Sequence, residues 1–352
     1  MRPKPRQLAA NRVAMHPPRT FSQAASSHFA TKPEQLLCGM VVLANVGAWV
    51  WAACLLGTSP LLLGTAGLAW VFGLRHGLDA DHIVAIDTVT RKLMLSGRPA
   101  SRVGLFFSLG HSSVVIAATL LLALLPVRGV LEQWHLIGGV FGTVVSGSFM
   151  GLAVIANIWM AAQQWHALKQ HQPAPALGAG GSVCSPLGWV VRPFFSLIGR
   201  AWHMYPLGFI FGLGFDTASE ISLLGMTTLQ AAQGVGVLGV LSLPLLFTSA
   251  MALVDTLDTV LMCRVYAWRG QAEGRRAIYN LVITLISLGA AAAVAVVELG
   301  PLVWGDGSFG ALSQSISFIS EHFSAVGGCI LAVFLTVWAV ARLLQKRAPS
   351  QI

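Results

Sequence analysis

Two histidines and three aspartates lie close together in residues 75–91, whose sequence is RHGLDADHIVAIDTVTR. In chain order they are His76, Asp79, Asp81, His82 and Asp87. They offer imidazole nitrogen and carboxylate oxygen without sulfur, which is a ligand set for a divalent transition-metal ion. The preceding stretch, LLLGTAGLAWVFGL, is apolar enough for a membrane helix. Charged residues in such a helix cost roughly 2.5–3.5 kcal/mol on insertion scales, so they are mostly functional and face inward.

Three other apolar segments carry ionisable residues and extend the set of candidate metal ligands. The segment GHSSVV contains His111, and FGLGFDTASE contains Asp216 and Glu220 four residues apart. The segment MALVDTLDTV contains Asp255 and Asp258 three residues apart. Residues three or four apart share one face of a helix, so each carboxylate pair can point toward a common site.

Structural roles are the alternative for these residues. The first cluster can form a buried lattice of ion pairs and hydrogen bonds with Arg75, although one arginine does not balance three aspartates. Arg264 lies close enough in sequence to pair with Asp255 and Asp258 near the end of their helix. A lone histidine such as His111 is also a common hydrogen-bonded core group.

The spacing predicts how an unbroken helix would present the first cluster. At about 100° per residue, His76, Asp79 and Asp87 share one face with His82 at its edge, whereas Asp81 lies roughly 140° from His76. Asp81 reaches the same ion only if the helix is distorted, and a glycine next to His76 gives the backbone that freedom. Otherwise Asp81 orients an imidazole from outside the ligand set.

The composition identifies an integral membrane protein. Of the 352 residues, 55% are hydrophobic and 10% are charged, against about a quarter charged in soluble domains. The five cysteines are scattered without a C-x-x-C pair, which excludes a disulfide framework and a thiolate zinc site. The net charge of +9 follows the expected topology and does not indicate a nucleic-acid partner.

The hydropathy pattern predicts about eight transmembrane helices in an all-α protein, since each span needs about 20 apolar residues. The segments are 37–57, 60–88, 103–125, 138–163, 204–228, 236–263, 277–300 and 322–344. Placing both termini in the cytoplasm puts all but two of the 22 lysines and arginines on that side. The exceptions are Arg128 outside and Arg75 in the membrane, so the positive-inside rule supports this orientation.

The same pattern divides the chain into four parts. Residues 1–36 form a disordered basic cytoplasmic tail, 37–163 a first transmembrane half that contains the histidine and aspartate cluster, 164–203 a cytoplasmic linker, and 204–347 a second transmembrane half. The linker contains HQPAPALGAGGS, a composition typical of flexible connections. Spans 2 and 3 and spans 5 and 6 both carry polar motifs in opposite directions, so the two pairs are candidates for an inverted-topology relation.

With these four segments, the chain resembles the nickel/cobalt transporter (NiCoT) family of secondary uptake permeases. The family signature H-x4-D-H is filled by His76, the spacer GLDA, Asp81 and His82. The runs FSLGHSSVV, LGFDTASE and DTLD also resemble family motifs in the same order. The resemblance implies uptake of Ni2+ or Co2+ across the cytoplasmic (inner) membrane, with His76, Asp81 and His82 central to binding and no catalytic activity.

The ligand chemistry agrees with this resemblance, because nitrogen and oxygen donors favour Ni2+, Co2+ or Zn2+ over Mg2+. No nucleotide-binding motif and no cofactor site is present, so membrane potential or protons must drive transport. Two alternatives follow from the same residues. An intramembrane metal-dependent hydrolase would hold a metal to activate water. A metal efflux permease would typically have a histidine-rich loop, whereas the predicted linker contains only His166, His171 and His203.

The predicted topology is testable by cysteine labelling. In a chain whose native cysteines are replaced by serine, cysteines at positions Gly97 and Gly270 are expected to react only from the cytoplasmic side. A cysteine at Gly307 is expected to react with an impermeant thiol reagent added to intact cells. External labelling at Gly97 would contradict the orientation.

Overall fold

The computed structural model of the protein is all-helical and describes residues 32–57, 59–124, 128–170, 198–214, 217–267, 273–304 and 310–347. Its helices are α1 (Lys32–Leu56), α2 (Pro60–Gly77), α3 (Ala80–Leu95), α4 (Val103–Leu124), α5 (Arg128–Lys169), α6 (Met204–Gly212), α7 (Ala218–Ala232), α8 (Val237–Val240), α9 (Ser242–Ala267), α10 (Glu273–Trp304), α11 (Gly310–Glu321) and α12 (Phe323–Arg347). Residues 1–31 of the predicted tail and residues 171–197 of the predicted linker lie outside the described residues.

Six helices of the described ranges are long and apolar enough to cross a membrane, and α2 with α3 raises the number to seven if that bent pair is one span. The prediction of about eight spans is therefore confirmed as a multi-span helical protein but not in its count. The difference lies in the predicted span 204–228, which is divided because α6 ends at Gly212 and α7 begins at Ala218. Thr217 caps α7 with extended backbone, and its hydroxyl oxygen accepts from the Glu220 amide.

The predicted span 60–88 is also broken, between Gly77 and Ala80, and the two parts meet at an angle of 51°. Asp79 has extended backbone angles (φ −62°, ψ 143°) and precedes the first residue of α3. The face analysis based on an unbroken helix is therefore wrong, because His76 and Asp81 belong to helices with different axes. The distortion lies directly after the glycine that was expected to permit it.

Glycines set the directions in which the helices pack. A methyl group at Gly73 would lie 2.2 Å from the Phe247 carbonyl oxygen, and one at Gly77 would lie 2.9 Å from the Val254 Cβ. Because both contact positions advance along the chain together, α2 and α9 run parallel. A methyl group at Gly104 of α4 would lie 2.0 Å from the Asp255 carbonyl oxygen of α9. These backbones are in direct contact, as is usual where small residues line membrane helix interfaces.

Helices α6 and α7, the two parts of the divided span, run in the opposite direction to the broken pair α2 and α3. A methyl group at Gly208 would lie 2.1 Å from the Phe107 carbonyl oxygen, so α6 packs tightly on α4. In α7, Gln230 donates a hydrogen bond of 2.6 Å to Thr65 near the start of α2. The other end of α7 lies near the end of α2, where a Glu220 oxygen is 4.0 Å from a His76 nitrogen. Helices α2 and α7 are therefore antiparallel, and the end of α2 lies beside the start of α7.

Buried apolar side chains form the core on either side of these breaks. One cluster joins α3, α4, α5 and α10 through residues such as Val84, Phe107 and Met150. Another joins α1, α2, α4, α7 and α9 around Phe247. Many large apolar side chains instead face outward, for example Leu43 at 70% exposure. This arrangement suits a protein surrounded by lipid, with its polar groups enclosed by helices.

The contact between α4 and α9 is expected to be sensitive to one methyl group. Gly104→Ala should lower the melting temperature because the added carbon overlaps the α9 backbone, and overpacking commonly costs about 1–3 kcal/mol or more. Gly151→Ala on α5 is the matched control, because nothing lies within 4 Å of the added carbon. The difference is checked by heating both variants in detergent and measuring the remaining folded protein by size-exclusion chromatography. Equal stability would contradict the contact.

Candidate metal centre

Three buried histidines converge where the broken helix α2–α3 crosses α4. His76 lies in the last turn of α2, His82 in the first turn of α3 and His111 in the middle of α4. One ring nitrogen from each lies within 4.8 Å of the others. Within the described ranges this is the group of histidine, cysteine and acidic residues compact enough to hold a metal ion. The bend after Gly77 is what lets two neighbouring helix ends contribute to the same centre.

Glu220 completes the cluster from the first turn of α7. The Nε2 atoms of His76 and His111 are 3.0 Å apart, and His111 Nε2 is 2.7 Å from Glu220 Oε1. Thr217, the capping residue of α7, donates from its hydroxyl to the other Glu220 oxygen at 3.1 Å. With His82 of α3, nitrogen and oxygen donors from four helices therefore meet at one point.

Aromatic rings separate this point from its surroundings. The His82 ring packs edge-on against Phe107 with 4.8 Å between centroids, and the His76 ring lies 5.4 Å from Phe247. A low-polarity enclosure strengthens the interaction of an ion with its ligands, because water does not screen it.

Asp79 contacts His76 from the side that faces away from the cluster. His76 Nδ1 lies 2.9 Å from Asp79 Oδ2, and the other carboxylate oxygen accepts a hydrogen bond of 2.6 Å from Ser324 Oγ on α12. Both oxygens of Asp79 are therefore occupied. Asp79 was predicted as a ligand, but its contacts are those of a residue that orients an imidazole.

His82 makes a looser contact of the same kind. Its Nδ1 lies 3.4 Å from Asp255 Oδ1, whereas His82 Nε2 and Asp255 Oδ2 are buried and have no hydrogen-bond partner among the described residues. Asp81, next to His82, also has one buried oxygen without a partner there. Such orphaned groups are rare in native proteins because each costs about 1–3 kcal/mol. Their position around the histidines fits a site that a cation completes.

The remaining predicted residues lie farther along the helices or outside the described ranges. Asp87 of α3 accepts a hydrogen bond from the Tyr266 hydroxyl of α9. Asp258 of α9 is buried, and neither of its oxygens has a partner among the described residues. Asp216 lies outside the described residues, so its position relative to Glu220 stays a prediction.

Sequence reasoning assigned no role to three residues that contact predicted ligands, namely Thr217, Tyr266 and Ser324. Thr217 and Glu220 fit the T-x-x-E capping box, which was a visible signal for a helix start inside the predicted span. Tyr266 had no distinguishing pattern. Ser324 is a single serine near the start of an apolar helix, and no spacing in the sequence relates it to Asp79.

Comparison with known proteins decides the family. Residues 62–344 match the family described as NicO, high-affinity nickel-transport protein. The chain is 39% identical over 325 residues to the high-affinity nickel transport protein of Cupriavidus necator, which covers 88% of this chain and 91% of that relative. The chain belongs to the NicO family. The predicted resemblance is thereby confirmed, and this NicO member is a multi-pass membrane protein of a transporter family rather than an enzyme.

Other NicO relatives have names that include nickel or cobalt. The hydrogenase nickel incorporation protein HupN of Bradyrhizobium diazoefficiens is 40% identical and covers 89% of this chain and 84% of its own. The cobalt transport protein NhlF of Rhodococcus rhodochrous is 36% identical and covers 82% of this chain and 85% of its own. No solved structure matches the chain.

The contact between Asp255 and His82 predicts an indirect contribution to metal affinity. Asp255→Asn is expected to weaken binding of Ni2+ or Co2+ by about 10–100-fold, the usual cost of losing a carboxylate behind a ligating histidine. Thr256→Val is the matched control, because the Thr256 hydroxyl is buried without a partner among the described residues. Isothermal titration of both purified variants measures the effect. Equal affinities would show that Asp255 does not support His82.

Proposed function

We propose that this NicO family member is a secondary transporter that takes up Ni2+ and/or Co2+ across the cytoplasmic membrane. The observation that carries the proposal is the buried group of His76, His82 and His111 at the bend of a broken membrane helix. The relatives named for nickel and cobalt transport support the choice of ion. Imidazole donors with a carboxylate also favour these ions over Mg2+ or Ca2+.

The spacing of the donors supports a shared ion. Two ligands held at about 2.1 Å from one ion and at a right angle to each other are roughly 3.0 Å apart. The Nε2 atoms of His76 and His111 have a separation of 3.0 Å, and Glu220 Oε1 is 2.7 Å from His111 Nε2. These three atoms, with a ring nitrogen of His82, are the proposed ligands. In this arrangement Asp79 and Asp255 hold two of the imidazoles in position.

The acidic residues beyond the cluster indicate a route by which the ion reaches or leaves the histidines. Asp81 lies beside His82 with a free oxygen, and Asp258 lies one helical turn beyond Asp255 with two free oxygens among the described residues. Asp87 follows on α3, closer to the end of the helix that carries Lys92. We propose that these carboxylates, together with Asp216, which precedes Glu220 by four positions in the sequence, attract the ion before or after it occupies the histidines. Oxygen donors bind such ions more weakly than imidazoles, which favours passage over retention.

The proposed topology has both termini in the cytoplasm and relates the two broken pairs by inversion. The parallel packing of α2 and α9 and the antiparallel packing of α2 and α7 support alternating spans in which α6 and α7 together act as one crossing. Each break then lies near the middle of the bilayer, where discontinuous helices of many transporters bind their substrates. An inside-negative potential favours entry of a divalent cation by roughly 4.6 kcal/mol per 100 mV, which needs no nucleotide.

Uptake of radiolabelled Ni2+ and Co2+ into cells or proteoliposomes tests the function, with each ion as a competitor of the other. His76→Ala, His82→Ala and His111→Ala are expected to lower uptake at trace metal by at least about 100-fold, because neighbouring groups do not replace an imidazole donor. His166→Ala is the matched control, since His166 is exposed at the end of α5.

Three outcomes would contradict this proposal. Wild-type rates in a histidine variant that inserts normally would exclude the cluster as the site. Lower metal content in cells that express the protein would indicate efflux. A stoichiometric metal that resists chelators in the purified protein would favour the hydrolase alternative over a transport site.

A further inference from the structure

The last helix touches the break between α2 and α3. A methyl group at Gly327 of α12 would lie 1.9 Å from the Leu78 carbonyl oxygen and 3.1 Å from the Ala80 amide nitrogen. No side chain fits between the α12 backbone and the two residues that link the helices. The helix α12 therefore packs directly on the bend that brings His76 and His82 together.

One turn earlier, Ser324 of α12 joins a chain of directed hydrogen bonds. The Arg75 Nε donates to Ser324 Oγ at 3.2 Å, and Ser324 Oγ donates to Asp79 Oδ1 at 2.6 Å. The other oxygen of Asp79 lies 2.9 Å from His76 Nδ1. A guanidinium only donates and an ionised carboxylate only accepts. The serine proton therefore points at Asp79, and His76 carries its own proton on Nδ1.

This proton arrangement decides which His76 nitrogen faces the cluster as an acceptor. A neutral imidazole has one N–H, so a proton on Nδ1 leaves a lone pair on Nε2. That atom is the one that lies 3.0 Å from His111 Nε2. The direction of the hydrogen bonds from α12 therefore matches the tautomer that a metal ion requires.

The serine hydroxyl is not accounted for by helix packing alone. Serine and threonine in apolar helices commonly donate to a carbonyl of the preceding turn. Thr336 of the same helix does so, with its Oγ1 at 2.7 Å from the Ala332 carbonyl oxygen. Ser324 instead donates across the helix interface to Asp79.

We propose that Ser324 is a positioning residue that acts through Asp79 to hold His76 with Nε2 free for the transported ion. The final helix thereby sets the affinity of the site without contributing a ligand. This inference rests on the proposed function, since it takes His76 as a ligand of the ion. It also reassigns Asp79 from ligand to the group that fixes the His76 tautomer.

A double-mutant cycle on the full-length protein in detergent tests the inference, with Ni2+ as titrant in calorimetry. Asp79→Ala is expected to weaken Ni2+ binding by about 10–100-fold, as for other carboxylates behind a ligating histidine. Ser324→Ala is expected to weaken it by about fivefold, and the double variant should equal Asp79→Ala because residues of one network are not additive. Thr336→Val, the control, removes an α12 hydroxyl that faces away and should stay within about twofold of wild type.

Two further measurements separate positioning from a general loss of structure. Ser324→Thr keeps the hydroxyl and is expected to bind as wild type does. The visible absorption spectrum of bound Co2+ should be the same in Ser324→Ala and wild type, since the ligands do not change.

Four results would each overturn the inference. Ser324→Ala could bind Ni2+ as tightly as wild type, or it could lower the Ni2+ affinity by the full amount again in the Asp79→Ala background. Ser324→Thr could lose as much Ni2+ affinity as Ser324→Ala, or the Co2+ spectrum of Ser324→Ala could differ from that of wild type. Failure of the wild-type protein itself to bind Ni2+ would contradict the proposed function instead. That outcome is distinguished because it does not depend on any α12 variant.

Discussion

A helix that is interrupted inside a membrane exposes amide and carbonyl groups that lipid does not hydrogen-bond. Such a break persists only where neighbouring protein covers it. Here the break after Gly77 is enclosed by α9 on one side and by α12 on the other, through contacts that leave no space for a side chain. The glycines at these crossings therefore maintain the bend, and the bend in turn determines which side chains meet.

The helix ends at the two breaks also create a local electric field that suits a cation held by carboxylates. The end of a helix carries partial negative charge on its free carbonyls and the start carries partial positive charge on its free amides. His76 lies at the carbonyl end of α2, which favours a cation, while Asp81 and Glu220 lie in the first turns of α3 and α7, which favours carboxylates. The start of each helix therefore stabilises the ionised form of its own acidic side chain. A cation between α3 and α7 would then face a carboxylate from each helix.

The sequence predicted the class of protein and most of the cluster because these depend on local signals. Apolar segments of span length predict membrane helices, and ionisable residues inside them stand out against their neighbours. The positions of Asp79 and Asp81 were not predictable from a 100° periodicity, because that count fails across a break. The capping residues Thr217 and Asp79 were signals of the breaks, but a long apolar run concealed them. The role of Ser324 depends on its contact with Asp79, which lies 245 positions earlier in the chain, and no local sequence pattern reveals such a contact.

The short distance between His76 and His111 also has a consequence for proton traffic. With the His76 proton on Nδ1, the hydrogen between the two Nε2 atoms or toward Glu220 must come from His111. An ion bound to both Nε2 atoms displaces that hydrogen. His111 Nδ1 is buried without a partner among the described residues, so it has a vacant position for the proton. If the ion binds both Nε2 atoms as proposed, His111 has to hold its proton on Nδ1 for as long as the ion is bound.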